Sequence, residues 1–279
     1  MASPGAVALI PHPAGTIRQK TDGYAPNVAR MHNYLLDGKD HFAADRSAVE
    51  ELLQHAPELY TLVRAERLFL MRGVHWLAGK MNIDQFIDLG CGLPIGRPLH
   101  ERAAGAGARP RVVHVDNDPV VVAHGRALVD DGRNAVTVAG DVRDPEDLLR
   151  EVCLTGLIDL GRPVAVLCSA LLHHLHDGEG PWEIVEALRG AMAPGSALLV
   201  SHLCGDHAAP RVVDVLEQVY TGASAPLTLR SRDQITRLFD GFALAPPGVL
   251  DVAHWPGARP PSRRGAIVAY GGMGHLPAA

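Results

Sequence analysis

The chain has 279 residues, of which 47% are hydrophobic, and carries a formal net charge of −5 with a pI near 6.3. This length and composition are sufficient for one large globular domain, or two small ones, with a buried core. The negative charge argues against a protein that works mainly by neutralising nucleic-acid phosphates or anionic lipid. We therefore expect neither a nucleic-acid partner nor a membrane partner.

The first residues, "MASPGAVALIPHPAG", lack the positively charged start of a signal peptide. No later run approaches the roughly 18 apolar residues that a membrane helix needs. The cysteines are widely spaced, form no CxxC pair and lie in or beside apolar runs, at Cys91, Cys153, Cys168 and Cys204. Such a pattern is typical of buried, reduced thiols, so we expect a cytoplasmic protein.

Residues 1–25 mix proline, glycine and polar residues without periodicity, which predicts a flexible tail. From 26 to 81 apolar residues recur at helical spacing in "NVARMHNYLL", "SAVEELLQHA" and "LVRAERLFLMRGVHWLA". A turn is expected at Asp37-Gly38 between the first two helices. We therefore predict that residues 26–81 form a helical N-terminal cap.

Residues 82–279 are predicted to form the core domain, because short β-rich runs there alternate with helical ones. Apolar strands separated by helices of about 10 to 15 residues predict parallel pairing with helices on both faces. The last two strand candidates, "FALAPPGVLDVAHW" and "RGAIVAYGG", follow each other directly and predict an antiparallel hairpin at one edge. The expected fold is α/β, with a doubly wound, mostly parallel, seven-stranded sheet.

The stretch "FIDLGCGLPIGRPLH" is the first strand-to-helix turn of this sheet. Ligands of such sheets bind beyond the carboxyl ends of the strands, where the strand order reverses. Gly90 and Gly92 have no Cβ to block a ligand, and the following helix offers unpaired N–H groups. A GxGxxG dinucleotide fingerprint would need glycine in place of Ile95, and a GK[ST] P-loop is absent. These features favour a nucleotide-like ligand without a pyrophosphate.

Acidic residues stand near the ends of three consecutive predicted strands, at Asp88, Asp116 and Asp141. Asp116 lies 26 positions after Gly90, where a carboxylate can bridge a ribose diol. A turn or N-cap role explains any one of these acids alone. Their coincidence at one edge suits a positively charged nucleoside without phosphates, such as S-adenosylmethionine.

Several motifs resemble those of class I S-adenosylmethionine-dependent methyltransferases, namely "FIDLGCGLP", "HVDNDPVVVAHGRALV", "AGDVRDPEDLL", "ALLHHLHD" and "MAPGSALLVSH". "NVARMHNYLLDGKDHFAADRSAVEELL", "RAERLFLMRGVHWLA" and "RDQITRLFDGFALAPPGVLDVAHW" more narrowly resemble the bacterial family called S-adenosyl methyltransferases, long catalogued as a domain of unknown function. The similarity runs from about residue 26 to 272. The resemblance implies a Rossmann-like fold and transfer of a methyl group from S-adenosylmethionine to an acceptor, which we expect to be a small molecule. We expect a monomer or a homodimer.

The resemblance also implies which residues bind the cofactor. These residues lie at the ends of four predicted strands. We expect the amino-acid end of the cofactor to be bound by Asp88, Gly90 and Gly92, its ribose by Asp116 and Asn117, its adenine by Asp141 and Val142, and its sulfonium by Ser169 and Ala170. The chain departs from the family pattern at Asp37, where glycine is expected, at His41, where asparagine is usual, and at Glu66, where "NR" is usual. These departures fall on the predicted substrate side.

The run "HHLH" places His173, His174 and His176 after the fourth strand. A metal site needs further converging ligands, so we expect no metal. We expect His173 or His174 to face the crevice, with the other histidines packed or solvated. His173 is the candidate to accept a proton from a substrate hydroxyl or amine near the transferring methyl group. A positioning or core histidine explains it equally well.

The segment "YLLDGKDHF" has two interpretations. A solvated turn between helices accounts for its charges. Alternatively it is a lid over the cofactor, in which Lys39 or Arg67 binds a carboxylate and Tyr34 or Phe42 stacks near the sulfonium.

Two other functions share the predicted fold. One is an NAD(P)-dependent oxidoreductase, against which the glycine spacing argues, and the other is a noncatalytic cofactor-binding or regulatory protein. The sequence does not specify whether the acceptor atom is O, N, C or S.

Overall fold

The computed structural model describes residues 25–104, 110–255 and 267–277. The predicted tail therefore lies, except for its last residue, outside the described part. Three helices come first, α1 (Val28–Leu35), α2 (Ala43–His55) and α3 (Leu59–Lys80). The expected turn lies between α1 and α2, where Asp37 adopts a φ of 60°.

Strands and helices alternate after α3. The strands are β1 (Gln85–Leu89), β2 (Arg111–Asp116), β3 (Ala135–Ala139), β4 (Ala165–Ser169), β5 (Ala197–Cys204), β6 (Ala243–Leu244), β7 (Leu250–Asp251) and β8 (Val268–His275). The helices between them are α4 (Leu99–Ala104), α5 (Pro119–Leu128), α6 (Pro145–Leu154), α7 (Pro181–Ala191), α8 (Pro210–Thr221) and α9 (Arg232–Arg237).

Local chemistry sets the starts of the helices that follow β2 and β3. Asp118 and Asp144 are the N-caps of α5 and α6, and their carboxylates accept hydrogen bonds from amides in the first turn. A proline follows each cap, at the position where a missing N–H costs nothing and the fixed φ suits a helix. The Asp-Pro pairs therefore end each connection sharply at the carboxyl edge of the sheet.

The described strands form one sheet in the order β3-β2-β1-β4-β5-β8-β6, with β7 also paired to β8. Strands β1 to β5 are parallel, and β8 is antiparallel to β5. The order reverses at β1, which pairs with both β2 and β4. The predicted α/β fold with a mostly parallel, doubly wound sheet is confirmed.

The strand count differs from the expected seven because the predicted strand "FALAPPGVLDVAHW" is divided. Its two halves, β6 and β7, pair with different parts of β8, near its end and near its middle. The residues between them include the cis-proline pair Pro246-Pro247 and Gly248, which has a φ of 87°. The antiparallel hairpin at one edge is confirmed, with the later strand, β8, on its inner side.

Alternate side chains of each strand enter different hydrophobic clusters. In β1, Phe86 packs with the cluster that contains α1, α2 and α3, whereas Ile87 packs with the cluster that contains α6, α7 and α9. This follows from the two-residue period of a strand, which sends neighbouring side chains to opposite faces. The N-terminal helices thus share one hydrophobic cluster with the sheet. No helix in the described ranges is both long and apolar enough to cross a membrane.

Candidate active site

A cavity of about 420 Å³ lies at the carboxyl ends of β1 to β4. Its size falls in the range of about 300 to 1,000 Å³ that is typical of small-molecule sites. All the residues predicted to bind the cofactor line it, namely Asp88, Gly90, Gly92, Asp116, Asn117, Asp141, Val142, Ser169 and Ala170. The structure therefore brings together groups that are spread over more than 80 positions of the sequence.

The two glycines of the first turn have different neighbours. Both have positive φ angles, 61° at Gly90 and 66° at Gly92. A Cβ at Gly90 would come within 2.6 Å of the Leu171 side chain, whereas a Cβ at Gly92 would meet no atom within 4 Å. Gly90 is thus required by packing as well as by conformation. Gly92 leaves its backbone open to a ligand.

Asp116 is buried and held by the backbone at both carboxylate oxygens. Oδ2 accepts a hydrogen bond from the amide of Gly92, and Oδ1 accepts one from the amide of Asp118, each at 3.0 Å. Burial raises the pKa of Asp116 to about 6, although the two amide hydrogen bonds act in the opposite direction. A carboxylate oxygen can accept a second hydrogen bond, so the group remains able to bind hydroxyls.

Asp88 is positioned by a histidine on the neighbouring strand. His114 is its register partner in β2, and Nδ1 of His114 lies 2.9 Å from Oδ2 of Asp88. Because an ionised carboxylate only accepts, Nδ1 donates this hydrogen bond. The sequence interpretation missed His114, although its place two residues before Asp116 puts both side chains on one face of β2.

At the third strand end, Asp141 is part of a surface network. It accepts hydrogen bonds from the side chain of Asn117 at 3.1 Å and from the guanidinium of Arg143 at 2.9 Å. Arg143 also lines the cavity and contacts Glu179 at 2.6 Å. The charge of Asp141 is thus balanced within the protein, which suits a neutral partner such as an adenine ring.

Helix α1 covers the cavity. The side-chain amide of Asn27 donates a hydrogen bond of 2.7 Å to Asp118, and the amide of Val28 donates one of 3.0 Å to the hydroxyl of Ser224. Asn27, Val28 and Ser224 all line the cavity. The start of α1 is therefore hydrogen-bonded to the connection after β2 and to the connection between α8 and α9.

The cavity wall on the side of α1 is polar. It includes His32, Glu66 and His174, beside the apolar Leu70. Burial lowers the pKa of both histidines to about 4, and the charges of Arg67 and His174 add to this effect at His32. Burial raises the pKa of Glu66 to about 7. Of these three, His174 was predicted, as one of two alternatives, to face the cavity, and Glu66 was predicted only to lie on the substrate side.

The structure does not bring His173 to the cavity. This residue is only 3% exposed, its Nδ1 accepts a hydrogen bond from the amide of Leu203, and its ring packs on His202. The short 3-10 helix Leu172–His174 turns the chain by about 120° per residue, so His174 lines the cavity instead. Within the described residues, no group of three His, Cys, Asp or Glu side chains is arranged to bind a metal ion.

Of the four predicted lid residues, Arg67 lines the cavity and the others do not. Tyr34 packs on His41, with a ring centroid distance of 4.8 Å. Phe42 is 52% exposed, and Lys39 is exposed as well. The turn between α1 and α2 is held on the outer surface, because Asp37 contacts Tyr60 and Arg64 from α3.

The polar groups that line the cavity fit a nucleoside that carries a sulfonium group. Buried carboxylates at two adjoining strand ends can accept from an ammonium group and a ribose diol, while the open backbone at Gly92 admits close approach. Together with the strand order, this site defines a class I S-adenosylmethionine-dependent methyltransferase.

Comparison with known proteins agrees with this class. A family model described as "S-adenosyl methyltransferase" matches residues 14–277. A candidate methyltransferase from Thermobifida fusca is 36% identical, with a TM-score of 0.84 and coverage of 92% of this chain and 97% of the other. A DUF574 family protein from Streptomyces avermitilis is 31% identical, with a TM-score of 0.85 and coverage of 92% and 99%. No curated protein matches the chain significantly.

The chain therefore belongs to the S-adenosyl methyltransferase family, as its sequence motifs predicted. It is an S-adenosylmethionine-dependent methyltransferase. This assignment replaces the alternative prediction of an NAD(P)-dependent oxidoreductase.

Proposed function

We propose that the protein methylates a small molecule bound in the cavity between the strand ends and the underside of α1. The supporting observation is that one covered cavity contains both the strand-end carboxylates and a second polar wall, formed by His32, Glu66 and His174. A cofactor needs only the first set. The second set offers hydrogen-bonding partners to an acceptor of limited size, and residues 26–81 act as a cap above it.

The residues at the strand ends would orient the cofactor. Asp116, already fixed by two backbone amides, would accept hydrogen bonds from the ribose hydroxyls. Asp88, fixed by His114, would accept from the ammonium group. Asn117 would lie beside the ribose, Asp141 and Val142 would border the adenine, and Ser169 with Ala170 would border the sulfonium.

Arg67 would bind the carboxylate of the cofactor rather than a group of the acceptor. Its guanidinium donates a hydrogen bond to the carbonyl of Ile95 at 3.1 Å and forms no ion pair with any described carboxylate. Burial lowers its pKa, while the charge of Asp88 raises it. A partly buried guanidinium without a carboxylate partner is a good site for a planar anion.

When bound, the cofactor supplies a methyl group made electrophilic by the positive sulfur. The protein contributes alignment and exclusion of water. Leu70, Leu171 and Leu175 give the cavity apolar walls, and α1 covers it through the hydrogen bonds of Asn27 and Val28.

The test begins with calorimetric titration of S-adenosylmethionine, S-adenosylhomocysteine and NAD(P)H into the purified protein. Cofactor labelled in the methyl group is then supplied with a panel of small hydroxyl, amine, thiol and carbon acids, and separately with protein and nucleic-acid fractions. We expect the first two ligands to bind and label to appear in a small molecule. Label confined to macromolecules would contradict the proposal, and the Asp116→Ala variant is the background control.

A further inference from the structure

Glu66 is a buried carboxyl group in the cavity that no cofactor contact requires. It lies on α3, is 2% exposed and lines the cavity. Oε1 accepts a hydrogen bond of 2.9 Å from the hydroxyl of Ser201. No described donor contacts Oε2 within hydrogen-bond distance. Burying a carboxyl group costs folding free energy when one of its oxygens has no hydrogen-bond donor in the protein. We take this cost as a sign that Glu66 has a function.

A chain of hydroxyl groups connects Glu66 with the predicted sulfonium side. Ser201 accepts a hydrogen bond from the amide of Ala170 at 3.0 Å and lies 3.1 Å from the hydroxyl of Ser169. A hydroxyl has one proton, and that of Ser201 is donated to Glu66, so Ser169 donates to Ser201. The orientation of this chain thus depends on whether Glu66 is ionised.

Titratable groups on several elements line the cavity together with Glu66, namely His32 from α1, Arg67 from α3, Asp88 from β1 and His174 from the 3-10 helix, and Tyr220 from α8 interacts electrostatically with it. The two histidines are neutral at pH 7, since burial lowers their pKa values to about 4. Nδ1 of His174 donates to the carbonyl of Pro226 at 2.8 Å, which leaves Nε2 as an acceptor. Burial and the charge of Glu66 raise the pKa of Tyr220, which is therefore neutral as well.

These contacts distinguish Glu66 from its neighbours. With its pKa raised to about 7 by burial, it is the group of this wall that changes charge near neutral pH. General bases are most effective when their pKa lies near the working pH. The arrangement supplies an acceptor site with neutral hydrogen-bonding walls and one carboxylate.

We propose that Glu66 accepts the proton that the methyl acceptor loses, and that the acceptor is a neutral molecule whose nucleophilic atom is a hydroxyl oxygen or an amine nitrogen. This inference rests on the proposed function. In the balanced step, the acceptor proton passes to Oε2 of Glu66 and the lone pair of the oxygen or nitrogen bonds to the methyl carbon. The carbon–sulfur bond breaks with its electron pair remaining on sulfur, which becomes a neutral thioether.

An asparagine amide can donate and accept hydrogen bonds, but it takes up no proton at neutral pH. The variants Glu66→Gln and Glu66→Asn therefore preserve polarity and hydrogen bonding with Ser201 while removing the proposed chemistry.

The first experiment measures proton release on ligand binding, by calorimetry at pH 6.5 in buffers of different ionisation enthalpy. The probes are S-adenosylmethionine, which is cationic at sulfur, and S-adenosylhomocysteine, which is not. A positive sulfur near Glu66 favours its ionised form. We expect the wild type to release about half a proton more with S-adenosylmethionine, and Glu66→Gln to lose that difference. Glu217→Gln, on the exposed face of α8, is the matched control.

The second experiment uses the acceptor identified with the labelled panel. We expect kcat of the wild type to rise with pH, with a midpoint below the free-protein value of about 7, because the bound sulfonium favours ionised Glu66. We expect kcat of Glu66→Gln to be at least about a hundredfold lower and not to rise in this pH range, while KM for S-adenosylmethionine changes little. Equal proton release with both probes, a difference that persists in Glu66→Gln, or an unchanged pH profile would overturn the role of Glu66. Failure of the wild type to bind S-adenosylmethionine would instead overturn the proposed function.

Discussion

The amide of Gly92 lies 3.0 Å from Oδ2 of Asp116, and the hydrogen bond between them joins the glycine turn after β1 to the end of β2. Two features that the sequence offers separately, a turn without side chains and a strand-end acid, are thus one structural unit. A ligand that contacts the carboxylate must also lie against the open backbone of the turn. This coupling explains why a change at either residue should act on the same ligand.

Replacing Asp116 tests the ribose contact. We expect Asp116→Ala to weaken S-adenosylhomocysteine binding by about 1.5 to 3 kcal/mol, the range for hydrogen bonds to charged groups. Calorimetric titration gives the dissociation constant directly. The exposed Asp214 on α8 provides the control Asp214→Ala. An unchanged constant for Asp116→Ala would return this carboxylate to a purely structural role at the turn.

The same residue gives the affinity a pH dependence. Because burial raises the pKa of Asp116 to about 6, the group gains a proton and loses an acceptor site as the pH falls below that value. We expect wild-type affinity for S-adenosylhomocysteine to decline between pH 7 and pH 5, measured by calorimetry. Asp116→Asn should bind more weakly at pH 7 and lack this decline. A decline of equal size in Asp116→Asn would show that another group titrates.

The matched pair Gly92→Val and Gly132→Val separates ligand blocking from backbone strain. Both glycines have nearly equal φ angles, 66° and 65°, and a Cβ at either meets no atom within 4 Å. The strain of a branched residue, about 1 to 2 kcal/mol, should therefore lower the melting temperature of both variants similarly. We expect S-adenosylmethionine binding to be lost only in Gly92→Val, since Gly132 lies in the turn before β3. Normal affinity in Gly92→Val would refute the open-backbone account.

Arg67 can be tested with ligands that differ in one group. We expect Arg67→Met to weaken S-adenosylhomocysteine binding by about 1.5 to 3 kcal/mol, the range for hydrogen bonds to charged groups. Binding of 5′-methylthioadenosine, which lacks the carboxylate, should change little. The exposed Arg211 on α8 supplies the control Arg211→Met. Equal losses for both ligands would mean that Arg67 acts on the nucleoside or on packing.

Glu66 should make the free protein less stable as the pH rises. Its pKa is about 7 in the folded state and 4.5 in the reference state, so the folded protein binds more protons between these values. The contribution of Glu66 to stability is then most favourable below pH 4.5 and becomes less favourable as the pH rises from 4.5 to 7, by up to about 3 kcal/mol. We expect Glu66→Gln to melt several degrees above the wild type at pH 8 but close to it at pH 5. Glu217→Gln should match the wild type at both values.

The hydrogen bond that holds the start of α1 over the cavity predicts an effect on the rate of ligand release. In Asn27→Ser the hydroxyl can still cap the helix, but it is too short to replace the 2.7 Å hydrogen bond to Asp118. We expect S-adenosylhomocysteine to dissociate several-fold faster, as followed by stopped-flow fluorescence or surface plasmon resonance. Gln218→Ser, on the exposed side of α8, should leave the rate unchanged. An unaltered rate in Asn27→Ser would mean that α1 does not limit release.

The sequence was sufficient to predict the fold and the strand-end residues that line the cavity. Strand and helix periods are local properties, and Asp-Pro pairs fix where helices begin, so the order of elements followed from residues close together in the chain. Asp88, Gly92 and Asp116 were predictable because parallel strands of such a sheet end at one edge. Family motifs then identified the cofactor.

Tertiary structure alone decided the second wall of the cavity. Glu66 meets Ser201 across 135 positions of sequence, and Asn27 meets Asp118 across 91. Neither contact leaves a local pattern, because each depends on how helices pack over the sheet. The choice of His174 over His173 depends on the rotation of a single 3-10 turn, and the raised pKa of Glu66 depends on burial that only packing creates.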